Sequence, residues 1–338
     1  MNYKCAKEEL EFRSSEELLN QMCDVWNSVV NEEYFLKPFT YEGFKNHMLS
    51  NPHFDFDFVY LAFDDEKKNK LVGYCLGIVR AGFKGNSNYS GYFNSICVLK
   101  EYRNKGIGKK LLSIMEEGIK KDGHPAIFAS YFLPSTYNWY IPNTDKHDHP
   151  CTPGIRVNSK EYLFLLNNGY QPITFQHAFH LNLSDYVYPE SINEILERNK
   201  KDGITIELYD PNKHSGLEEF YADVKAPDFE KCIRSNLALE KPYPFLVVSE
   251  NGKVKGWTGA FWNEESGRGH FDGIIISESL RGRGLGKALF ASLAYYSKQN
   301  GAKFMTFYTG WDNHARFVYL GAGFKVAQTF AIMKKVFK

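Results

Sequence analysis

The feature that most constrains this chain is a stretch that occurs twice. Residues 93–123 read FNSICVLKEYRNKGIGKKLLSIMEEGIKKDG, and residues 271–301 read FDGIIISESLRGRGLGKALFASLAYYSKQNG. Arg103, Gly106, Gly108 and Gly123 match Arg281, Gly284, Gly286 and Gly301; 281 − 103, 284 − 106, 286 − 108 and 301 − 123 all leave 178. An ungapped match at so long a spacing is a duplicated domain, because solenoid units repeat at about 20–50 residues. The upstream segments agree as well. FVYLAFDDEKKNKLVGYCLGI (58–78) and FLVVSENGKVKGWTGAF (245–261) each give a strand, a charged hairpin and a second strand. The length of 338 residues holds two such domains.

Within each copy the pattern is a strand, a glycine-rich turn and a helix. The run Ile274–Ile276 suits a covered strand; Leu285, Leu289, Leu293 and Tyr296 follow at helical spacing, and Gly301 stands where a helix stops. Arg281, Arg283 and Lys287 put positive charge at the helix opening. Unpaired N–H groups and the positive dipole end make a helix start an anion site. Glycines let the backbone approach a large anion closely. The prediction is a phosphate cradle. It is not a P-loop, which needs Gly where Arg281 stands and Ser or Thr where Ala288 stands. It is not a dinucleotide fingerprint, which needs a small residue where Leu289 stands.

What fits is Arg-x-x-Gly-x-Gly, as Arg281, Gly284, Gly286 and again as Arg103, Gly106, Gly108. In this the sequence resembles the GNAT acetyltransferase superfamily, in its tandem form similar to mycothiol synthase-like proteins. The resemblance implies an α/β (α+β) fold of two tandem domains, each a mixed, mostly antiparallel twisted sheet flanked by helices. It implies acetyl-CoA as co-substrate. The diphosphate would lie on Arg281, Arg283, Gly284, Leu285, Gly286 and Lys287 in one copy, and on Arg103, Lys105, Gly106, Ile107, Gly108 and Lys109 in the other. The preceding strand would hold the pantetheine arm through its backbone, at Ile274 and Ile276 or at Ile96 and Val98.

Acetyl transfer to an amine also needs a route off the amine for its proton and a proton for the departing thiolate. WDNHARFVYLGAGF (311–324) carries Asn313 and Tyr319 just ahead of Gly323-Phe324. They match the family pattern in which a tyrosine protonates the sulfur, and a phenol with reference pKa of about 10 suits that role. Counting back equally from Gly169-Tyr170 lands on Leu165, with no hydroxyl. Asp272 shares a strand face with Ile274 and Ile276 and is the candidate base; its counterpart Asn94 cannot take a proton. These differences assign the chemistry to the C-terminal copy and leave the N-terminal copy a catalytically degenerate partner that keeps its cradle. Trp257, Phe261, Trp262, Tyr308 and Trp311 are candidates for an apolar acceptor pocket.

Boundaries follow from the chain order: an N-terminal domain over 1–185, a polar helical linker over 186–203, and a C-terminal domain over 204–338. Helices are expected from Ser14 into the forties, and strands over 57–63, 71–80, 92–98, 126–132 and 172–183. Asp145, His147, Asp148 and His149 crowd one loop, but their spacing matches no zinc pattern, so no metal is expected. The net charge of +1 gives no bias toward nucleic acid or membrane. Six scattered cysteines and the absence of a signal-like start suggest reduced thiols and a cytoplasmic protein, a monomer or homodimer. The acceptor is read only as a primary amine of a small molecule or peptide. A non-catalytic acyl-CoA sensor and an aminoacyl transferase on the same fold are the other readings.

Overall fold

The computed structural model describes residues 1–33, 35–67, 70–130 and 135–337. The chain divides into two compact units, one of residues Met1–Gln176 with Gln328–Lys338, the other of His177–Ala327. The division differs from the expected boundaries at 185 and 204. The reason is strand pairing: the C-terminal strand finds its partners among residues 126–156.

Unit 1 is built from β1 (Asn2–Cys5), α1 (Ser15–Glu33), α2 (Tyr41–Leu49), β2 (Val59–Asp64), β3 (Lys70–Ile78), β4 (Gly91–Val98), α3 (Ile107–Lys121), β5 (Ala126–Ala129), β6 (Ile155–Arg156) and α4 (Lys160–Asn167). The expected strand over 126–132 ends at Ala129, and its last two residues lie outside the described ones. Ser14 caps α1 by accepting from the Glu17 N–H, and Thr40 caps α2 by accepting from Gly43 N–H. The sheet runs β1-β2-β3-β4-β5, antiparallel except for the parallel β4–β5 pair.

The chain passes into unit 2 along β7 (Gln171–Asn182). There follow α5 (Glu190–Lys200), β8 (Ile204–Leu208), α6 (Leu217–Val224), α7 (Pro227–Leu237), β9 (Phe245–Glu250), β10 (Lys253–Gly259), β11 (Phe261–Asn263), β12 (Gly269–Phe271), β13 (Ile274–Ile276), α8 (Leu285–Gln299), β14 (Phe304–Gly310) and α9 (Ala315–Gly321). Strands β8-β9-β10-β13 form one antiparallel sheet and β11-β12 a hairpin. β15 (Lys325–Val336) carries the chain back to unit 1, where Met333–Val336 pair with β5 and Phe330–Ala331 with β6. Helices α3 and α8, the two helices of the repeat, each bury one apolar face: Leu111, Leu112, Met115 and Ile119 in one, Leu289, Phe290 and Leu293 in the other. Among the described residues no helix is long and apolar enough to cross a membrane.

Candidate functional site

In unit 1, β4 lies beside β5 only from Gly91↔Ile127 to Phe93↔Ala129, while its other edge stays paired with β3 as far as Gly73↔Val98. From Asn94 onward the β5-facing edge of β4 has no strand partner among the described residues. Such an edge offers a row of free N–H and C=O groups to an extended polar chain. Half-buried Ile96 and Val98 line a groove of about 440 Å³ along this edge. Its outer end is made by Arg103, Gly106, Gly108 and Lys109 at the opening of α3.

That opening is bare. Gly106 is the N-cap of α3 with φ +77°, a conformation that favours glycine, and no side chain caps the helix. A Cβ on Gly106 would meet nothing within 4 Å; one on Gly108 would meet only the Phe164 ring at 3.7 Å and Ile96 Cδ1 at 3.8 Å. No acidic residue occupies the first turn. The Arg103 guanidinium donates to Val98 O at 2.9 Å and pairs with Glu32 at 2.9 Å, so it is held at the groove mouth. Lys105 lies 5.3 Å above the Tyr102 ring. Free N–H groups, a dipole end, two glycines and three cations are a fitting donor set for a diphosphate.

The inner end of the groove opens into a chamber of about 100 Å³. Val29, Ile96 and Glu161 line both spaces, so the two are contiguous. The chamber walls include Trp26, Phe35, Phe93, Asn94, Tyr137 and Arg156. Tyr137 stacks against Trp26 at 4.5 Å and His47 at 5.1 Å, and its hydroxyl donates to Asn94 Oδ1. Burial pushes the Tyr137 phenol well up from its usual value, so it stays protonated. Burial pushes the Cys97 thiol up to about 12 and Cys23 up to about 11. At pH 8 only about one in 10⁴ Cys97 side chains would be thiolate. Iodoacetamide at pH 8 is therefore expected to leave both cysteines unmodified in the folded protein and to alkylate both in urea, as peptide mass spectrometry would read.

The second copy is arranged differently. Helix α5, expected as a linker, packs on the turn before α8. A Cβ on Gly284 would stand 2.9 Å from Ile195 Cδ1, where the matching Gly106 faces open space. Arg198 Nη2 and Asn199 Nδ2 donate to Arg283 O at 2.8 and 3.3 Å, and the Arg283 guanidinium pairs with Asp202 at 2.7 Å. Arg281 pairs with Glu278, and the Lys287 stem packs against Gly321. Leu285 is buried in the core and Gly286 faces Val318 at 3.5 Å. Helix α5 thus packs against Gly284 and Arg283 of the expected C-terminal cradle, while the opening of α8, like that of α3, has no side-chain cap and no acidic residue in its first turn.

The residues expected to carry the chemistry in that copy each meet local partners. Tyr319 is buried among Phe179, Phe290 and Phe307, with ring centroids at 5.4, 4.7 and 4.4 Å. Asn313, just ahead of α9, accepts from Ala315 N–H at 2.9 Å. Asp272 is engaged locally, by Ala260 N–H at 3.2 Å and the His270 ring at 3.2 Å. Ile274 and Ile276 pair with Thr258 and Gly256 and pack onto the same aromatic core as Phe307. Of the five aromatic candidates for an acceptor pocket, Trp257 and Phe261 are core, Trp262 stacks on His270, Tyr308 is half-buried on β14, and Trp311 is 47% exposed.

Sequence reasoning missed Tyr137, Glu161 and the chamber role of Asn94. Only Asn94 left a trace there, as the counterpart of Asp272. Leu165, the position opposite Tyr319, is fully buried. The crowded loop is used structurally: Asp148 pairs with Lys37 at 2.6 Å and His149 stacks on Trp139. Among the described residues no group of three or more His, Cys, Asp or Glu could hold a metal.

The acetyltransferase (GNAT) family model matches residues 19–137 and 206–324. This chain belongs to the GNAT family. No curated protein matches the sequence. Among solved structures, a fungal GCN5-related glucosamine N-acetyltransferase region, part of a multi-domain β-N-acetylglucosaminidase, superposes with a TM-score of 0.58 at 17% identity, over 95% of this chain and 37% of that one. This chain therefore spans a little over a third of that protein. A GNAT protein from Sphaerobacter thermophilus superposes with a TM-score of 0.52 at 16% identity, over 94% and 91% of the two chains. These likenesses show the GNAT fold. In each GNAT repeat the Arg-x-x-Gly-x-Gly turn keeps its backbone shape, with Gly106 and Gly284 at φ +77° and +81°. The covering of that turn is what separates the copies.

Proposed function

We propose that unit 1 transfers an acetyl group from acetyl-CoA to a primary amine, and that unit 2 is a structural GNAT copy. This reverses the assignment that Tyr319 and Asp272 suggested. The observation that carries it is the open edge of β4 among the described residues, joined at one end to an uncovered cradle and at the other to a largely apolar chamber. When bound, acetyl-CoA would supply the activated acyl carbon.

The residues of unit 1 then divide the work. Gly106, Ile107 and Gly108 offer N–H groups, and Arg103, Lys105 and Lys109 positive charge, to the diphosphate. The backbone of Ile96 and Val98 holds the arm. The largely apolar walls of the chamber flank the reacting carbonyl. An amine arrives as ammonium and must lose a proton before its lone pair can form the C–N bond as the C–S bond breaks; the thiolate must then gain one. Glu161 is the ionisable side chain that borders both spaces. It is four residues before Leu165, so on the face of α4 that carries the tyrosine position of the other repeat. Glu161 relays that proton.

Glu161→Gln is expected to lower kcat about ten- to hundredfold near neutral pH and to leave CoA affinity within about threefold. Raising the pH toward the amine's own pKa should restore much of the rate, since free amine then no longer needs a relay. A pH–rate profile with the same shape as wild type would remove Glu161 from the chemistry. The sensor reading is tested in the same assay: a protein that binds CoA yet releases no thiol with any amine is not an enzyme.

A further inference from the structure

Asn94 holds an unused donor at the heart of unit 1. It is 1% exposed and borders the chamber. Its Oδ1 accepts from Tyr137, while Nδ2 has no hydrogen-bond partner among the described residues. A buried amide N–H₂ without an acceptor is costly, and such groups in folded proteins are nearly always satisfied. The walls around it, Trp26, Val29, Val30 and Phe93, are apolar, and the space of about 100 Å³ suits a small apolar body. Arg156, on the same wall, lies 4.4 Å above the Phe35 ring.

We propose that Asn94 selects the acceptor: the chamber takes an amine with a short apolar body and an adjacent carbonyl or carboxylate oxygen, which accepts from Asn94 Nδ2. The proposal rests on the reading of unit 1 as the transfer site. A site that leaves a buried donor unpaired with one substrate and pairs it with another discriminates strongly, because the mismatched complex carries the desolvation cost alone. Arg156 adds a cation that favours the carboxylate over the neutral carbonyl.

Three amines with one carbon body separate these terms: isoamylamine without the oxygen, leucinamide with a neutral carbonyl, and leucine with a carboxylate. CoA titration and acetyl transfer would be measured on wild type, Asn94→Asp and Tyr137→Phe. Asp is nearly isosteric and still accepts from Tyr137, but it cannot donate. Wild type is expected to favour leucinamide or leucine over isoamylamine by at least tenfold in kcat/KM, and Asn94→Asp to bring that ratio to about one or below. Tyr137→Phe, which frees the amide to turn, should give an intermediate ratio and decides the matter if Asn94→Asp does not fold. A wild-type ratio near one, or an unchanged ratio in the variants with CoA still bound, overturns the role of Asn94 and leaves the transfer site standing. Loss of CoA binding from wild type, or transfer to no amine at all, overturns the transfer site and this proposal together.

Discussion

Gly108→Glu is expected to weaken CoA binding by at least about a hundredfold, while Gly286→Glu changes it by less than about threefold, both read by isothermal titration. The two positions are equivalent in sequence, so the contrast isolates what covers them. A side chain on Gly108 projects toward Ile96 and Phe164 in the groove, where a carboxylate meets the diphosphate it displaces. Like-charge juxtaposition at a binding site costs several kcal/mol, and about 1.4 kcal/mol is tenfold. On Gly286 the same side chain meets Val318, beside a turn on which α5 packs at Gly284 and Arg283. Neither change should harm its helix, since an acidic residue in the first turn complements the dipole. Equal thermal melts would confirm that folding is intact. The opposite pattern of affinities would return the cofactor site to unit 2.

Removing residues 328–338 is expected to abolish the folding of unit 1. Phe330, Ala331 and Met333 are fully buried there, and Met333–Val336 pair along β5. Phe330 lies 5.3 Å from the Trp139 ring and 6.1 Å from Phe35, a wall of the chamber. Lys335 pairs with the largely buried Glu116 at 2.6 Å, so the deletion also leaves a carboxylate without its cation. Phe330→Ala alone should cost about 3–5 kcal/mol by the cavity it leaves. The truncated chain would lose CoA binding and one of the two calorimetric transitions, if each unit melts separately. A truncated chain that keeps both transitions and binds CoA would overturn the role given to β15.

Much of this was legible in the sequence. The constant offset of 178 gave the duplication, and the spacing of Arg103, Gly106 and Gly108 gave the cradle. Two things were not read. The first was the packing of α5. Its segment is polar overall and reads as a helical linker, yet Ile192, Ile195, Leu196 and Asn199 recur at helical spacing and mark a packed face. The second was the destination of β15. Period-two alternation fixes which face of a strand is buried, but it carries no information about which neighbour the strand will find. The proposed change of catalytic copy turns on something equally silent in the sequence. Tyr319 and Asp272 are residue types that suit acetyl transfer, but residue type does not say what packs against the turn beside them, such as α5 on Arg283 and Gly284.

The pairing of residues 328–338 with β5 has a consequence for synthesis. On the ribosome the groove residues from Asn94 to Gly108 emerge early, yet the segment that completes their sheet is translated only after all of unit 2. The aromatic wall around Phe35 and Trp139 must therefore wait for Phe330, and any nascent chain interrupted earlier would hold an unfinished unit 1.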